Sequence, residues 1–365
     1  MNPPTMHVPA VKRLLSAIAP VLLAIAPTPS AQAQDMAPNV AIPFYTSAHA
    51  AQGVYGSWYA PQSERFKAAA LALAPAIERY CAAPQQDKAA QLMAAAEQLR
   101  TTILAWETVS AVSLGPLIER RSARNIDFQP FRLTSLQKAI QSAPADTRAL
   151  ERIGGPAKGF GALEHLLAQQ ANKPDATSCR YAVVAAQGVA QEAEAIAADF
   201  QSLGKTHWSE EAEATTETMA EFINQWVGGL ERLRWQRLEK PVKSAGRKPI
   251  IWHRADAAST LNALQAQWQG LRQLAVVLDR QQIPQPGTDL VPIEAYLRGR
   301  GLKELADEWA QTVGQANQAM TGLRDLSPAN VSQASASLKK LKKLMETQVA
   351  PALEINIGFS DADGD

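Results

Sequence analysis

Cysteine is nearly absent from this chain: 365 residues contain only Cys81 and Cys179. That excludes a disulfide-scaffolded small fold, and two thiols without neighbouring histidines make a poor zinc site. Histidine is almost as scarce, and His49, His165, His207 and His253 are scattered with no His-Glu-x-x-His among them. Charge of one sign is missing too. The formal net charge is +1, and no basic arm with interleaved aromatics stands out, so nucleic acid is excluded as a partner. Alternating strand patterns are confined to Pro249-Ile250-Ile251-Trp252 and Ile355-Asn356-Ile357. There is no glycine-rich phosphate loop after a strand, no Cys-x-x-Cys-His and no Gly-x-Ser-x-Gly, which leaves nucleotide, covalent haem and serine-hydrolase chemistry without support.

Long apolar runs are lacking as well. The best, Leu14 to Ala26, is too short and too interrupted by proline to span a bilayer. Lys12 and Arg13 precede it, and Ala31-Gln32-Ala33 follows, which is the order of a cleavable secretory signal. Residues 1–33 are therefore expected to be a signal peptide, and the mature chain to lie in the periplasm without a membrane span. No cysteine near the cut offers a lipid anchor. Loss of Lys12 and Arg13 takes the formal charge from +1 to −1. In an oxidising compartment an isolated cysteine pair reads as a disulfide, Cys81 to Cys179, with two separate buried thiols as the alternative.

What the chain does have is helical periodicity. Phe66, Ala70, Leu73, Ile77 and Tyr80 recur at steps of three and four, as one buried stripe requires. Leu92, Leu99, Ile103, Trp106 and Leu114 form a second stripe, and Met219, Phe222, Trp226, Leu230 and Leu233 a third. Leu261, Leu264, Trp268, Leu271 and Leu278 follow, then Leu302 to Leu323 and Leu338 to Val349. Trp106, Trp226, Trp268 and Trp309 fall on these stripes and read as core. Asn172-Lys173-Pro174-Asp175 and Ile283-Pro284-Gln285-Pro286-Gly287 break the pattern, and the weakest helical signal near the middle lies between Ser202 and Ser209. The expectation is an all-α protein of two antiparallel helical bundles, 34–205 and 206–365.

The stretch richest in chemistry is Gly154-Gly155-Pro156-Ala157-Lys158-Gly159-Phe160-Gly161-Ala162-Leu163-Glu164-His165-Leu166-Leu167. A glycine-dense loop enters an apolar helix that carries a carboxylate and an imidazole. Neighbours on a helix diverge by about 100°, so Glu164 and His165 cannot grip one ion together. This stretch resembles the Gly-x-His-x-x-Glu motif of the imelysin family. Other segments match in order: Leu114-Gly115-Pro116 after the Trp106 helix, Ile126-Asp127-Phe128-Gln129-Pro130, Cys179-Arg180-Tyr181-Ala182, Arg234 through Pro241, and the ending Gly358 to Asp365.

The resemblance implies paired helical bundles packed around a shared cleft, and a link to iron. Family members include iron-regulated envelope proteins, periplasmic components of iron uptake and an insulin-cleaving metallopeptidase. It further implies iron or another divalent metal as cofactor, other envelope iron-uptake components as partners, and Glu164 as the one metal ligand carried over. Gly159 matches the motif's leading glycine, but the position of the family's histidine is held by Gly161, which has no side chain to give a metal. The function expected is thus a non-catalytic binding protein. A metallopeptidase with ligands elsewhere and a structural envelope protein without a small ligand are the rivals. Asp127, Arg132 and His165 join Glu164 as candidate ligand-binding residues, and no catalytic residue is assigned. Asp127 and Arg132 flank a proline-broken loop suited to an anionic or metal-complexed ligand, with a local salt bridge as the plainer alternative. Asp361, Asp363 and Asp365 space carboxylates like half a calcium loop, then stop without the distal glutamate.

Overall fold

The long helices form where the apolar stripes predict them. A computed structural model describes residues 41–169, 175–210, 212–279 and 282–358. Residues 1–33, expected to be a signal peptide, the Asn172-Lys173-Pro174 break and the acidic tail lie outside those residues. We label the long helices α1 (Ala60–Ala82), α2 (Lys88–Val109), α3 (Gly159–Gln169), α4 (Ala176–Leu203), α5 (Ala212–Glu231), α6 (Ala257–Ala275), α7 (Lys303–Thr321) and α8 (Pro328–Leu344). No strand occurs among the described residues, and the two extended candidates at 249–252 and 355–357 are irregular.

The helix starts have local causes. Asp175 caps α4 by accepting from the backbone N–H groups of Thr177 and Ser178, and Asp256 caps α6 through Ser259. Pro328 occupies the first turn of α8, where a missing N–H costs nothing. Pro75 lies inside α1, which continues through it. Three helices run into π-wound segments: Gly53–Tyr59 leads into α1, Arg232–Glu239 continues α5 and Met345–Val349 continues α8.

All described residues belong to one compact unit with a continuous apolar core. Trp106, Trp226, Trp268 and Trp309 are fully buried in it. Helix α1 packs on α2 and α4, and α3 packs on both α2 and α4. From the other half of the sequence, α6 lies along α2, and α7 packs on α8. Two glycines allow α5 and α6 to approach the end of α2 closely. A Cβ on Gly229 would fall 2.1 Å from Ala111 O, and one on Gly270 would fall 2.5 Å from Thr108 O. This contact brings the residues after position 205 against Glu107.

Cys81, in the last turn of α1, is bonded to Cys179, in the first turn of α4. Two stripe positions depart from the periodicity. Leu114 lies beyond the end of α2, buried in a loop that Gly115 turns with φ of 51°. Leu278 lies beyond α6 and is 52% exposed.

Candidate functional site

The site begins with a glutamate inside an apolar helix. Glu107 follows Trp106 on α2 and is completely buried. A buried carboxylate needs partners, and Glu107 accepts three hydrogen bonds from two arginines. Arg254 donates to it from Nε at 3.1 Å and from Nη2, and Arg237 donates from Nη1. Arg254 also forms a fork with Asp127, Nη1 to Oδ1 at 2.7 Å and Nη2 to Oδ2 at 2.9 Å. Trp106 Nε1 donates to Asp127 Oδ2 at 3.0 Å, so a core tryptophan fixes the acid. Arg237 is steadied by Gln267 Oε1 on α6 at 3.0 Å.

The π-wound segment explains why two arginines reach this point. On an α-helix residues five apart diverge by about 140°. The wider i→i+5 winding swings Arg232 and Arg237 toward the same side. Arg232 donates to Ser110 O at 2.9 Å and Ala111 O at 3.2 Å, closing the end of α2. The carboxylates of the cluster, Glu107, Asp127 and Glu164, all precede residue 205. The cations Arg232, Arg237 and Arg254 all follow it.

Burial alone would favour neutral Glu107, but Arg237, Arg254 and His253 outweigh it and hold the carboxyl well below its usual range. Burial likewise disfavours charged Arg254, and Asp127, Glu107 and Glu164 reverse that, keeping the guanidinium charged. His253 is pushed down to about 4 by burial and by Arg237 and Arg254. Its Nε2 lies 3.6 Å from Glu107 Oε1, and neither ring nitrogen has a hydrogen-bond partner among the described residues.

Glu164 stands at the edge of this cluster. Its Oε1 accepts from the Ala255 N–H at 3.3 Å, and its Oε2 is 3.9 Å from Arg254 Nη1. It lines a cavity of about 320 Å³ between α2, α3 and the start of α6. Burial pushes its carboxyl up to about 7, against the opposing pull of Arg254 and the Ala255 N–H. Because this value lies above the unfolded 4.5, the folded state keeps a proton that the unfolded chain has lost between the two. Stability contributed here is therefore lost as pH rises through that window. Glu164→Gln carries no such penalty and should be more stable than the parent at pH 8, by roughly 3 kcal/mol at most. The gap should close toward pH 4.5. Urea unfolding of both proteins at the two pH values measures this, and equal stability at pH 8 refutes it.

Of the residues the sequence nominates, Asp127 and Glu164 are brought together through Arg254. His165 points elsewhere: its ring lies 5.2 Å from Phe131, and burial lowers its pKa. Arg132 is exposed before the helix Leu133–Gln141, its backbone N–H bonded to Pro156 O. Gly161 faces Phe131, whose Cβ lies 3.1 Å from where a Cβ would stand, so a phenylalanine covers the position of the family histidine. Glu107, Arg237, His253 and Arg254 were not nominated. The one local hint was an acid directly after Trp106 on an otherwise apolar stripe.

A divalent metal does not fit these residues. Among the described residues no three His, Cys, Asp or Glu side chains converge as a metal centre would. The lone pairs of Glu107 and Asp127 are turned to arginines, and Arg254 places a fixed positive charge beside Glu164.

The fold and site define an all-helical protein with buried arginine–carboxylate pairs beside an apolar cavity. The family model described as Peptidase_M75, Imelysin, matches residues 59–350, and the chain belongs to that family. Among solved structures it is similar to an imelysin-like protein from Psychrobacter arcticum 273-4, with a TM-score of 0.68 and 18% identity over 87% of this chain and 100% of that one. It is also similar to a protein described as a putative iron-regulated protein A precursor from Parabacteroides distasonis ATCC 8503, with a TM-score of 0.63 and 10% identity over 84% of this chain and 95% of that one. At these identities the likeness establishes the fold alone. No curated protein matches the sequence at a significant level.

Proposed function

We propose that this protein is a periplasmic, imelysin-like binding protein associated with iron acquisition, and that it acts without catalysing a reaction. The observation that carries the reading is Glu164 at the wall of a cavity, beside Arg254 rather than beside metal-donating side chains. Family membership and a relative described as iron-regulated support the link to iron. The order of charge, apolar run and Ala31-Gln32-Ala33 supports export, and no described helix is long and apolar enough to cross a membrane. Within the compact unit we divide the chain at 205/206 into two helical halves, with the site at their seam. Other envelope components of iron uptake are the proposed partners.

Two experiments test this. Deletion of the gene should slow growth and iron accumulation under chelator and leave both unchanged in iron-replete medium. An iron-independent phenotype, or none, removes the link to iron. Purified protein with zinc and an unfolded substrate should show no cleavage above background, because zinc hydrolysis needs a bound metal to acidify its water. Chelator-sensitive proteolysis that disappears in Glu164→Ala overturns the non-catalytic reading.

A further inference from the structure

The net charge of +1 conceals an uneven distribution. Residues 234–248 and 339–346 hold ten of the 36 Lys and Arg but only two of the 35 Asp and Glu. The fold lays these two stretches side by side. Ser335 Oγ of α8 donates to Glu239 Oε1 of the π-wound segment, and Lys342 Nζ lies 3.5 Å from Glu231 Oε2. Positions 335 and 342 thus meet 239 and 231, an antiparallel register that sets Lys339 opposite Trp235.

The acids of this face are already occupied. Glu231 is held by Arg234 and Lys342, and Glu239 by Arg234 and Lys243. Lys240, Arg247, Lys248, Lys339 and Lys343 are exposed and form no ion pair among the described residues. The adjacent stretch of α7 gives them none: Lys340 donates to Gln315 Oε1 at 2.8 Å, and Gln311 and Gln318 are exposed there. Lys339 and Lys343 stand one turn apart on α8, where like charges repel. Nothing in the described chain offsets that repulsion.

Apolar side chains are set among these cations. Trp235 is 36% exposed, with Lys243 Nζ 4.8 Å from its ring centre. After the short helix Lys240–Ala245, Gly246 turns the chain with φ of 55°, and a Cβ there would meet nothing within 4 Å. The loop that follows stands clear of the body at this turn. It carries Arg247 and Lys248, then Ile251, which at 87% is the most exposed large hydrophobic side chain among the described residues. A soluble polyanion would call for the charges alone. A phospholipid bilayer presents anionic headgroups over hydrocarbon, and cations beside an exposed tryptophan and isoleucine match both layers.

We propose that this face docks on the surface of an anionic phospholipid bilayer. Lys240, Arg247, Lys248, Lys339 and Lys343 pair with lipid phosphates, while Trp235 and Ile251 enter the headgroup layer. Attachment is to the surface, since no described helix is long and apolar enough to cross. It goes beyond the ligand-binding reading of Glu164, because no residue lining that cavity belongs to this face.

Flotation of the mature protein with vesicles tests this, using phosphatidylcholine alone and with roughly a third phosphatidylglycerol. The anionic vesicles should carry the protein at low salt and release it as salt rises, and the neutral ones should not carry it. Lys339→Gln with Lys343→Gln, and Arg247→Gln with Lys248→Gln, should each weaken binding by at least about tenfold. Ile251→Ser should weaken it by at least about threefold. All five positions are exposed, so the fold should survive, as thermal melts verify. The proposal is overturned by absent binding to anionic vesicles, by equal binding to neutral ones, or by both glutamine pairs binding like the parent. Heparin binding together with vesicle binding that Ile251→Ser leaves unchanged also overturns it, since the face then reads charge alone. Failure here with the iron-limitation phenotype intact removes the docking face and leaves the proposed function standing.

Discussion

Arg254→Met is expected to destabilise the protein by about 3–5 kcal/mol, with a fall in Tm on the order of ten degrees. The methionine fills much of the same space, so the loss is electrostatic rather than steric. It leaves Glu107, wholly buried, and Asp127, nearly so, with their principal cation gone. Breaking one side of a buried pair costs far more than the pair contributes, because the desolvation of the remaining charge is no longer offset. The corollary gives a control. Adding Asp127→Asn to Arg254→Met removes one orphaned charge while Glu107 keeps Arg237, and should recover part of the loss. If Arg254→Met alone costs less than about 1 kcal/mol, the cluster does not hold the seam. The same balance sets acid stability. Glu107 is held below its usual range, so its contribution is complete above that range and disappears as pH falls through the lowered value.

Removing the disulfide should have a comparable effect. Cys81 and Cys179 are separated by 98 positions. Closing a loop of that length restricts the unfolded chain by up to about 4–5 kcal/mol in the chain-entropy model. The loop contains α2, Asp127 and α3, and so every carboxylate of the site. Cys81→Ala with Cys179→Ala should therefore unfold at lower denaturant and loosen the Glu164 cavity first. Thiol titration of the denatured, unreduced mature protein gives the direct check: no free thiol is expected, and two would refute the bond.

Helix identity was legible because it is written locally. Phe66 to Tyr80 and Leu99 to Trp106 repeat at helical spacing, and both runs lie buried on α1 and α2. The end of α2 was less legible, since Gly115 turns the chain with Leu114 still buried. At the site, the motif glutamate and Asp127 could be named from short segments. Arg254 could not. It is 147 positions from Glu107 and 127 from Asp127, and no local pattern encodes a pairing that distant. Arg237 was hidden for a second reason: only π winding brings it beside Arg232, and α-periodicity places the two apart. Arg132 shows the converse. A charged residue beside a proline-broken loop looked equal to Asp127, yet Asp127 is drawn inward by Trp106 and Arg254 while Arg132 remains in solvent.

The central claim is that the positive charge at Glu164 is built into the chain, in Arg254, and that no divalent ion takes that place. Calorimetric titration of metal-free protein with zinc and with iron(II), run beside Glu164→Gln, tests it most directly. The account predicts no stoichiometric binding that the substitution abolishes. One ion per chain in the parent, lost in Glu164→Gln, would contradict it.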